Sequence, residues 1–276
     1  MKSGIYLVAT PIGNIGDITL RGIEVLKNAE IVACEDTRVS KKLFSLLGIS
    51  TSAKTFIAMH DHNETDVSSE LISFATKGSV VAYISDAGSP LISDPGYKLA
   101  RKCKENNVYF TTIPGACAVV CGLQLSGLPT DKFMFAGFIP NKDKARKEII
   151  SKYKDIDATV VFYETAKRLI KTLEAISDVL GEREIAVARE ITKMYEECKN
   201  GTATDLINYY TENPPKGEIV LMIAPSLEKE DIDYIDELKQ ELKQNSLKTA
   251  VKNIVEKYNL NKNEVYQTAL GIKNGN

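Results

Sequence analysis

The run Val81-Ala-Tyr-Ile-Ser-Asp-Ala-Gly-Ser-Pro-Leu-Ile-Ser-Asp-Pro-Gly96 carries a buried-strand pattern straight into a loop of small, polar and turn-forming residues. In an open α/β sheet the ligand crevice lies beyond the carboxyl ends of the strands, and Asp86, Gly88 and Ser89 fall just past one. Gly88 admits a ligand close to the backbone, and Pro90 and Pro95 stiffen the turn. Asp86 and Asp94 offer acceptors, either to ribose hydroxyls or to the amides that open the next helix. A second glycine-bearing loop, Thr10-Pro-Ile-Gly-Asn-Ile-Gly-Asp17, follows a short apolar strand at 5–9. Its spacing matches neither the dinucleotide fingerprint nor the Gly-Lys-Ser/Thr of a nucleotide P-loop. The two loops mark a binding crevice without naming its ligand, and the same residues would also serve plain capped strand-to-helix connections.

The elements that must hold these loops follow a regular rhythm. Up to about position 114, strands at 5–9, 31–34, 80–84 and 108–113 alternate with helical stretches near 19–28, 38–47, 64–76 and 95–106. That alternation indicates βαβ units and a mainly parallel sheet, with Thr19 placed to cap the first helix. Pro114-Gly115 interrupts the pattern, and a small-residue helix at 116–126 leads through Gly127-Leu-Pro129 into a second α/β unit. Its strands are expected near 133–138, 158–163, 184–189 and 218–223. The expected domains are therefore 1–114, 115–225 and a remainder, 226–276. That remainder begins with an acidic linker helix over 228–243, which holds seven acids against three lysines. Leu247, Ala250, Val251, Ile254 and Tyr258 then follow helical spacing behind the cap Ser246. Asn261-Lys-Asn-Glu264 resembles a capping box before Val265, Tyr266 and Ala269. From Ser246 to Asn276 there are five lysines and two glutamates, so this helix-turn-helix-like module suits either a nucleic-acid contact or docking to a dimer partner.

Composition narrows the classes. A chain of 276 residues with 43% hydrophobic content can bury more than one core. No run approaches the roughly 18 apolar residues of a membrane span, and MKSGIYLVAT lacks the parts of a signal peptide, so a cytoplasmic location is expected. Cys34, Cys103, Cys117, Cys121 and Cys198 form neither a disulfide framework nor a zinc motif. His60 and His62 could face one side of a loop, as substrate contacts or half of a metal site, but no third ligand accompanies them and no metal is expected. A formal net charge of −2 argues against coating nucleic acid by overall charge. A local patch remains: Lys142, Lys144, Arg146, Lys147, Lys152 and Lys154 stand against Asp143 and Glu148, either as phosphate contacts or as a solvated helix face.

The segments TPIGNIGDITLR, CEDTR, HDHNE, ISDAGSPLISDPGY, IPGACA, GLPTDKF, FYETAKRL, ARE-ITK and GEIVLMI occur in this order over almost all of positions 4 to 223. The chain so resembles the tetrapyrrole-methylase-like, or class III, S-adenosylmethionine methyltransferases, in their bacterial small-subunit rRNA 2′-O-methyltransferase branch. Related tetrapyrrole methylases carry Gly-Pro-Gly-Asp and Gly-Gly-Asp-Pro where this chain has Pro11-Ile-Gly-Asn14 and Ala87-Gly-Ser-Pro90, which favours the rRNA branch. The resemblance implies two α/β domains of the tetrapyrrole methylase type with the cofactor in the cleft between them, plus a small C-terminal helical module. It implies S-adenosyl-L-methionine as cofactor and 2′-O-methylation of a cytidine ribose in the decoding region of 16S rRNA. It also implies the small ribosomal subunit as partner and a homodimer. A tetrapyrrole-ring methylase on the same fold and a non-catalytic RNA- or ribosome-binding protein are the competing readings.

Motif by motif, the resemblance places the cofactor against Thr10, Pro11 and Ile12, against Asp86, Ala87, Gly88, Ser89 and Ile92, against Ala116, Cys117 and Ala118, and against Phe162, Tyr163 and Glu164. Methyl transfer from a sulfonium to a hydroxyl is an in-line displacement, so positioning supplies much of the catalysis and small-residue loops suit it. On the substrate side, Arg38, Arg168 and Arg189 could grip phosphate, while Asp36, His60 or Glu190 could orient or accept the hydroxyl proton. Each of these residues would serve equally as a helix cap or ion-pair partner. Lys142, Lys144, Arg146, Lys147, Lys167 and Arg168 are the candidate RNA contacts. The family usually has a histidine before the arginine matching Arg168; this chain has Lys167 there, so no role rests on that histidine.

Overall fold

The computed structural model describes residues 1–226, 234–258, 260 and 262–274, which form two compact units, Met1–Ser226 and Leu227–Asn276. The first unit holds two five-stranded sheets. In the first sheet β1 (Gly4–Val8), β2 (Ile31–Cys34), β3 (Thr55–Ala58), β4 (Val80–Ile84) and β5 (Phe110–Ile113) are ordered β3-β2-β4-β1-β5. All pairings are parallel. Every residue of β1, β2 and β4 is buried, because helices cover both faces and a parallel strand between two such layers must be apolar throughout.

The connecting helices are α1 (Leu20–Asn28), α2 (Thr37–Leu46), α3 (Glu64–Thr76) and α4 (Tyr97–Glu105). Alternate strand residues sort them: Tyr6, Val8, Val32 and Ala82 pack on α1 and α2 through Val25, Leu26 and Phe44. Ile5, Leu7, Val81 and Tyr83 face the other way, onto Leu71 and Ile72 of α3 and Leu99 and Cys103 of α4. Thr19 caps α1 by accepting from the Gly22 amide, and Asp36 caps α2 by accepting from Arg38. The strand expected to begin at 108 starts at Phe110, and the sheet has an edge strand, β3, beyond the four expected.

The second sheet contains β6 (Phe133–Phe138), β7 (Thr159–Thr165), β8 (Ile185–Arg189), β9 (Glu197–Gly201) and β10 (Glu218–Ile223), ordered β6-β7-β10-β8-β9. Only β6 and β7 run parallel; the other pairs are antiparallel. Helix α5 (Ala118–Ser126) lies on one face, against Val161, Ala186, Ala188, Val220 and Met222. Gly122 permits its close approach, since a Cβ there would stand 2.8 Å from Val220. Helices α6 (Asp143–Ser151), α7 (Leu169–Leu180) and α8 (Ala203–Glu212) cover the opposite face over Phe162, Val187 and Leu221. Phe162 is fully buried there, and truncating such a ring to Ala costs about 3–5 kcal/mol.

The second unit has three helices among its described residues: α9 (Ile235–Gln244), α10 (Leu247–Tyr258) and α11 (Lys262–Asn274). Leu238, Ala250, Val251, Ile254, Val265 and Ala269 form its own core, so the last part of the acidic segment packs as one of three helices. Ser246 accepts from the Thr249 amide at 3.3 Å at the start of α10. Residues 228–233 of the expected acidic helix, and Asn261 with the Glu264 side chain of the expected capping box, lie outside the described residues. No helix among the described residues is long and apolar enough to cross a membrane.

Candidate functional site

The loops that follow β1 and β4 are locked together beyond the strand ends. Thr10 donates its amide to the Gly88 carbonyl at 2.9 Å, and Gly88 donates back at 3.1 Å. Gly88 needs a left-handed backbone, φ +84°, to turn there, and a Cβ would stand 3.3 Å from Ile12. The buried Thr10 hydroxyl donates to Ser85 at 3.3 Å, and Ser89 Oγ donates to the Ala116 carbonyl at 3.0 Å. The loop backbones are thus fixed by bonds to one another and to the segment after β5.

A cavity of about 380 Å³ opens between this crest and the second sheet. Ile12, Ala87, Gly88, Ser89 and Ile92 line it from the first sheet's loops, and Cys117, Ala118, Tyr163 and Glu164 from the second half, as does Glu190. Thr10, Pro11, Asp86 and Ala116, expected against the cofactor, are not among the lining residues. Thr10 and Ala116 hold the lining backbone by the bonds above, and Asp86 accepts from the Asp36 amide at 3.1 Å.

Strand alternation corrects one expectation on β7. Phe162 points into the core under α6 to α8, away from the cavity, while Tyr163 points toward α5. Glu164 touches the cavity, but its buried carboxylate is already bound: it accepts from the Thr165 amide at 2.7 Å and from Thr172 Oγ1 at 2.8 Å, and it pairs with Arg168 at 3.1 Å. Arg168 also donates to the Ile139 carbonyl. These two residues tie the end of β7 to the loop after β6, so Arg168 is a structural cation and not a free phosphate grip.

The basic segment divides in the same way. Arg146 is buried, donates to the Asn141 carbonyl at 2.8 Å and pairs with Asp143 at 3.5 Å, so it is removed from the candidate RNA contacts. Lys147 is half-buried and held by Asp178 at 2.7 Å. Lys142, Lys144 and Lys167 are exposed.

Of the candidate proton acceptors, only Glu190 reaches the cavity. It has φ +50°, directly after β8, and its Oε1 receives Lys193 Nζ at 2.9 Å. Burial opposes the charge of Lys193, but the bond to Glu190 and the nearby Glu218 carboxylate outweigh it and raise its titration above the usual lysine value. Asp36 and Arg38 pair with each other at 2.6 Å outside the lining, and Arg38 is 89% exposed. The arginine's hydrogen bonds hold Asp36 down at about 2, which makes it a poor base at neutral pH. His60 is exposed, its ring 6.1 Å from that of His62. Among the described residues no cluster of three metal-ligating side chains exists. Arg189 is held by Glu197 at 2.7 Å.

Several lining residues were not singled out from the sequence: Ser93, Phe138, Thr165, Ile191, Lys193, Glu218, Ile219 and Val220; Asp94, read from the sequence as an acceptor, does line the cavity. Lys193 belongs to the ARE-ITK segment and could have been found there. Phe138 carries no local signal. Asp94 is partly buried, and burial together with the Asp86 carboxylate pushes its pKa up, against a bond from Ser85; burial likewise raises Asp86.

Comparison with known proteins places this arrangement. Residues 4–207 match the model of the tetrapyrrole (corrin/porphyrin) methylases. The chain is 47% identical over 275 residues to ribosomal RNA small subunit methyltransferase I of Erythrobacter litoralis (strain HTCC2594), covering 99% of this chain and 96% of that one. It is 41% identical to the protein of that name from Vibrio cholerae serotype O1, covering 96% and 94%. Among solved structures, diphthine synthase superposes with a TM-score of 0.61 at 17% identity, covering 81% of this chain and 91% of its own. The methyltransferase CobJ gives 0.60 at 16%, covering 81% and 95%, and such identities speak for the fold alone. The chain therefore belongs to the tetrapyrrole methylase family and, within it, to the ribosomal RNA small subunit methyltransferase I family.

Proposed function

We propose that this protein is an S-adenosylmethionine-dependent methyltransferase that methylates the 2′-hydroxyl of a cytidine ribose in the decoding region of 16S rRNA. The observation that carries the reading is a two-loop cavity, built on the Thr10–Gly88 bridge, in a chain whose nearly full-length relatives bear the rRNA methyltransferase name. The cavity suits the cofactor chemically. Its volume of about 380 Å³ lies within the small-molecule range. Ile12, Ile92, Ile191 and Val220 give apolar walls for a nucleoside, and Asp94, Glu190 and Glu218 outnumber Lys193, which favours a cationic ligand.

When bound, S-adenosylmethionine supplies an electrophilic methyl group on a positively charged sulfur. The backbone of 87–89 with Cys117 and Ala118 would hold it, and Gly88 leaves the space a side chain would fill. Glu190 accepts the proton of the attacking ribose hydroxyl, and Lys193 orients its carboxylate. Lys142, Lys144 and Lys167 contact RNA phosphates, with Asp36, Arg38 and His60 as further substrate contacts on the crest. The halves 1–114 and 115–225 act as the two domains of the cleft, and the protein works as a cytoplasmic homodimer on the small ribosomal subunit.

The test is incubation with labelled S-adenosylmethionine and unmethylated 30S subunits, followed by nucleoside analysis and an alkaline ladder. A 2′-O-methyl group removes the nucleophile of alkaline cleavage, so one linkage is expected to be protected. Label in a base-methylated nucleoside, with every linkage still labile, would overturn the assignment.

A further inference from the structure

The cavity mouth carries an aromatic ring that nothing in the fold requires to be exposed. Phe138 lines the cavity and is 58% exposed, whereas the neighbouring aromatic Tyr163 is half-buried in the core beneath α5. The pairing of β6 with β7 loses register between Phe135 and Phe138, and Gly137 in that break has φ +71°. Such a bulge re-aims the side chain that follows it. The re-aimed ring is also held firmly. Phe138 packs edge-on against Tyr163 with ring centroids 5.4 Å apart, and Tyr163 packs edge-on against Phe135 at 4.8 Å. The edge-to-face contact with Tyr163 fixes Phe138, while more than half of its surface stays open to solvent.

A 2′-hydroxyl in structured RNA reaches a cavity only when its nucleotide is swung out of the stack, which strips the base of its neighbours. A rigid, solvent-facing aromatic ring at the entrance replaces that lost stacking. We infer that Phe138 is the stacking platform for the extruded base of the substrate nucleotide, a role that rests on the methyl-transfer reading above and deepens it. The ring would accept any base by its face. Choice among bases would then fall to polar groups that line the same cavity: the Ser93 and Thr165 hydroxyls and the Asp94 carboxylate.

The experiment compares wild type with Phe138→Ala, Phe138→Leu and Phe138→Tyr on unmethylated 30S subunits, with cofactor affinity measured by calorimetry and oligomeric state by light scattering. Removing the ring is expected to lower kcat/KM for the subunit by about 5- to 150-fold, the worth of stacking one base. Cofactor affinity and oligomeric state are expected to stay unchanged. Tyrosine is expected to restore the activity and leucine, apolar but without a π face, to fail. An active wild type with an equally active F138A overturns the platform alone, as does rescue by leucine. Lost cofactor affinity in F138A would assign the ring to the cofactor subsite, and a changed oligomeric state would assign it to a subunit contact; each overturns the platform. A wild type that transfers no methyl group to the subunit overturns the methyl-transfer reading and the platform with it.

Discussion

The Glu190 carboxylate occupies the space that a side chain on Gly217 would fill. Gly217 has φ +84° and Glu190 φ +50°, so two left-handed residues stand side by side at the ends of adjacent strands, joined by a bond from the Glu190 amide to the Glu218 carbonyl at 3.3 Å. Gly217→Ala is expected to strain the backbone by about 1–2 kcal/mol and to push the carboxylate away from Lys193. Misplacement of this size costs about 100-fold in methyl transfer. Denaturant unfolding and steady-state assays on 30S subunits check both numbers, and a fully active G217A would show that the carboxylate need not sit there.

The proposed proton acceptor has a direct test. Glu190→Gln keeps the shape and removes the base, and is expected to lower kcat by about 10²- to 10⁴-fold. Lys193→Met should cost less, because it loosens the carboxylate without deleting it. Full activity in E190Q would move proton acceptance elsewhere.

Asp86 gives a prediction in pH. Burial, then the Asp36 carboxylate, raises its pKa above the usual aspartate value, against the bond from the Asp36 amide. A carboxyl that protonates more readily folded than unfolded destabilises the native state once it is charged. That penalty is full above the raised folded-state pKa and fades as pH falls toward the ordinary value. Asp86→Asn preserves an acceptor for the Asp36 amide, so it is expected to raise Tm at neutral pH, with the gain vanishing in acid. Thermal melts at several pH values decide it; a Tm gain that grows toward low pH would contradict the sign.

Arg146 and its neighbours on the basic segment should behave differently. Arg146→Ala leaves two part-buried carbonyls without their charged donor and empties a buried site, and is expected to cost about 2–3 kcal/mol of stability. The pair Lys142→Ala and Lys144→Ala, both exposed, should leave stability alone and reduce the salt slope of RNA binding by about 2. Unchanged salt dependence in the double variant would return the segment to a solvated face.

What the sequence determined by itself is local. The apolar runs of β1, β2 and β4 announce strands buried on both faces, and Thr19 and Ser246 cap helices because a hydroxyl just before an amphipathic run has one obvious use. The ordered motifs carried the family. Strand β9, Glu-Cys-Lys-Asn-Gly, could not be read, since a polar edge strand is made by its pairing with β8 and not by its residues. Partnership was equally hidden. Arg146 and Lys144 are alike in a basic run, yet one is buried on backbone carbonyls and the other lies in solvent. Glu164 and Glu190 are alike as carboxylates at strand ends that touch the cavity, yet one is saturated by Thr172 and Arg168 and the other is bonded to a lysine that lines the same cavity. Only the tertiary structure decided these cases, because the partner of a charge is set by residues distant in the chain that packing brings within hydrogen-bond reach.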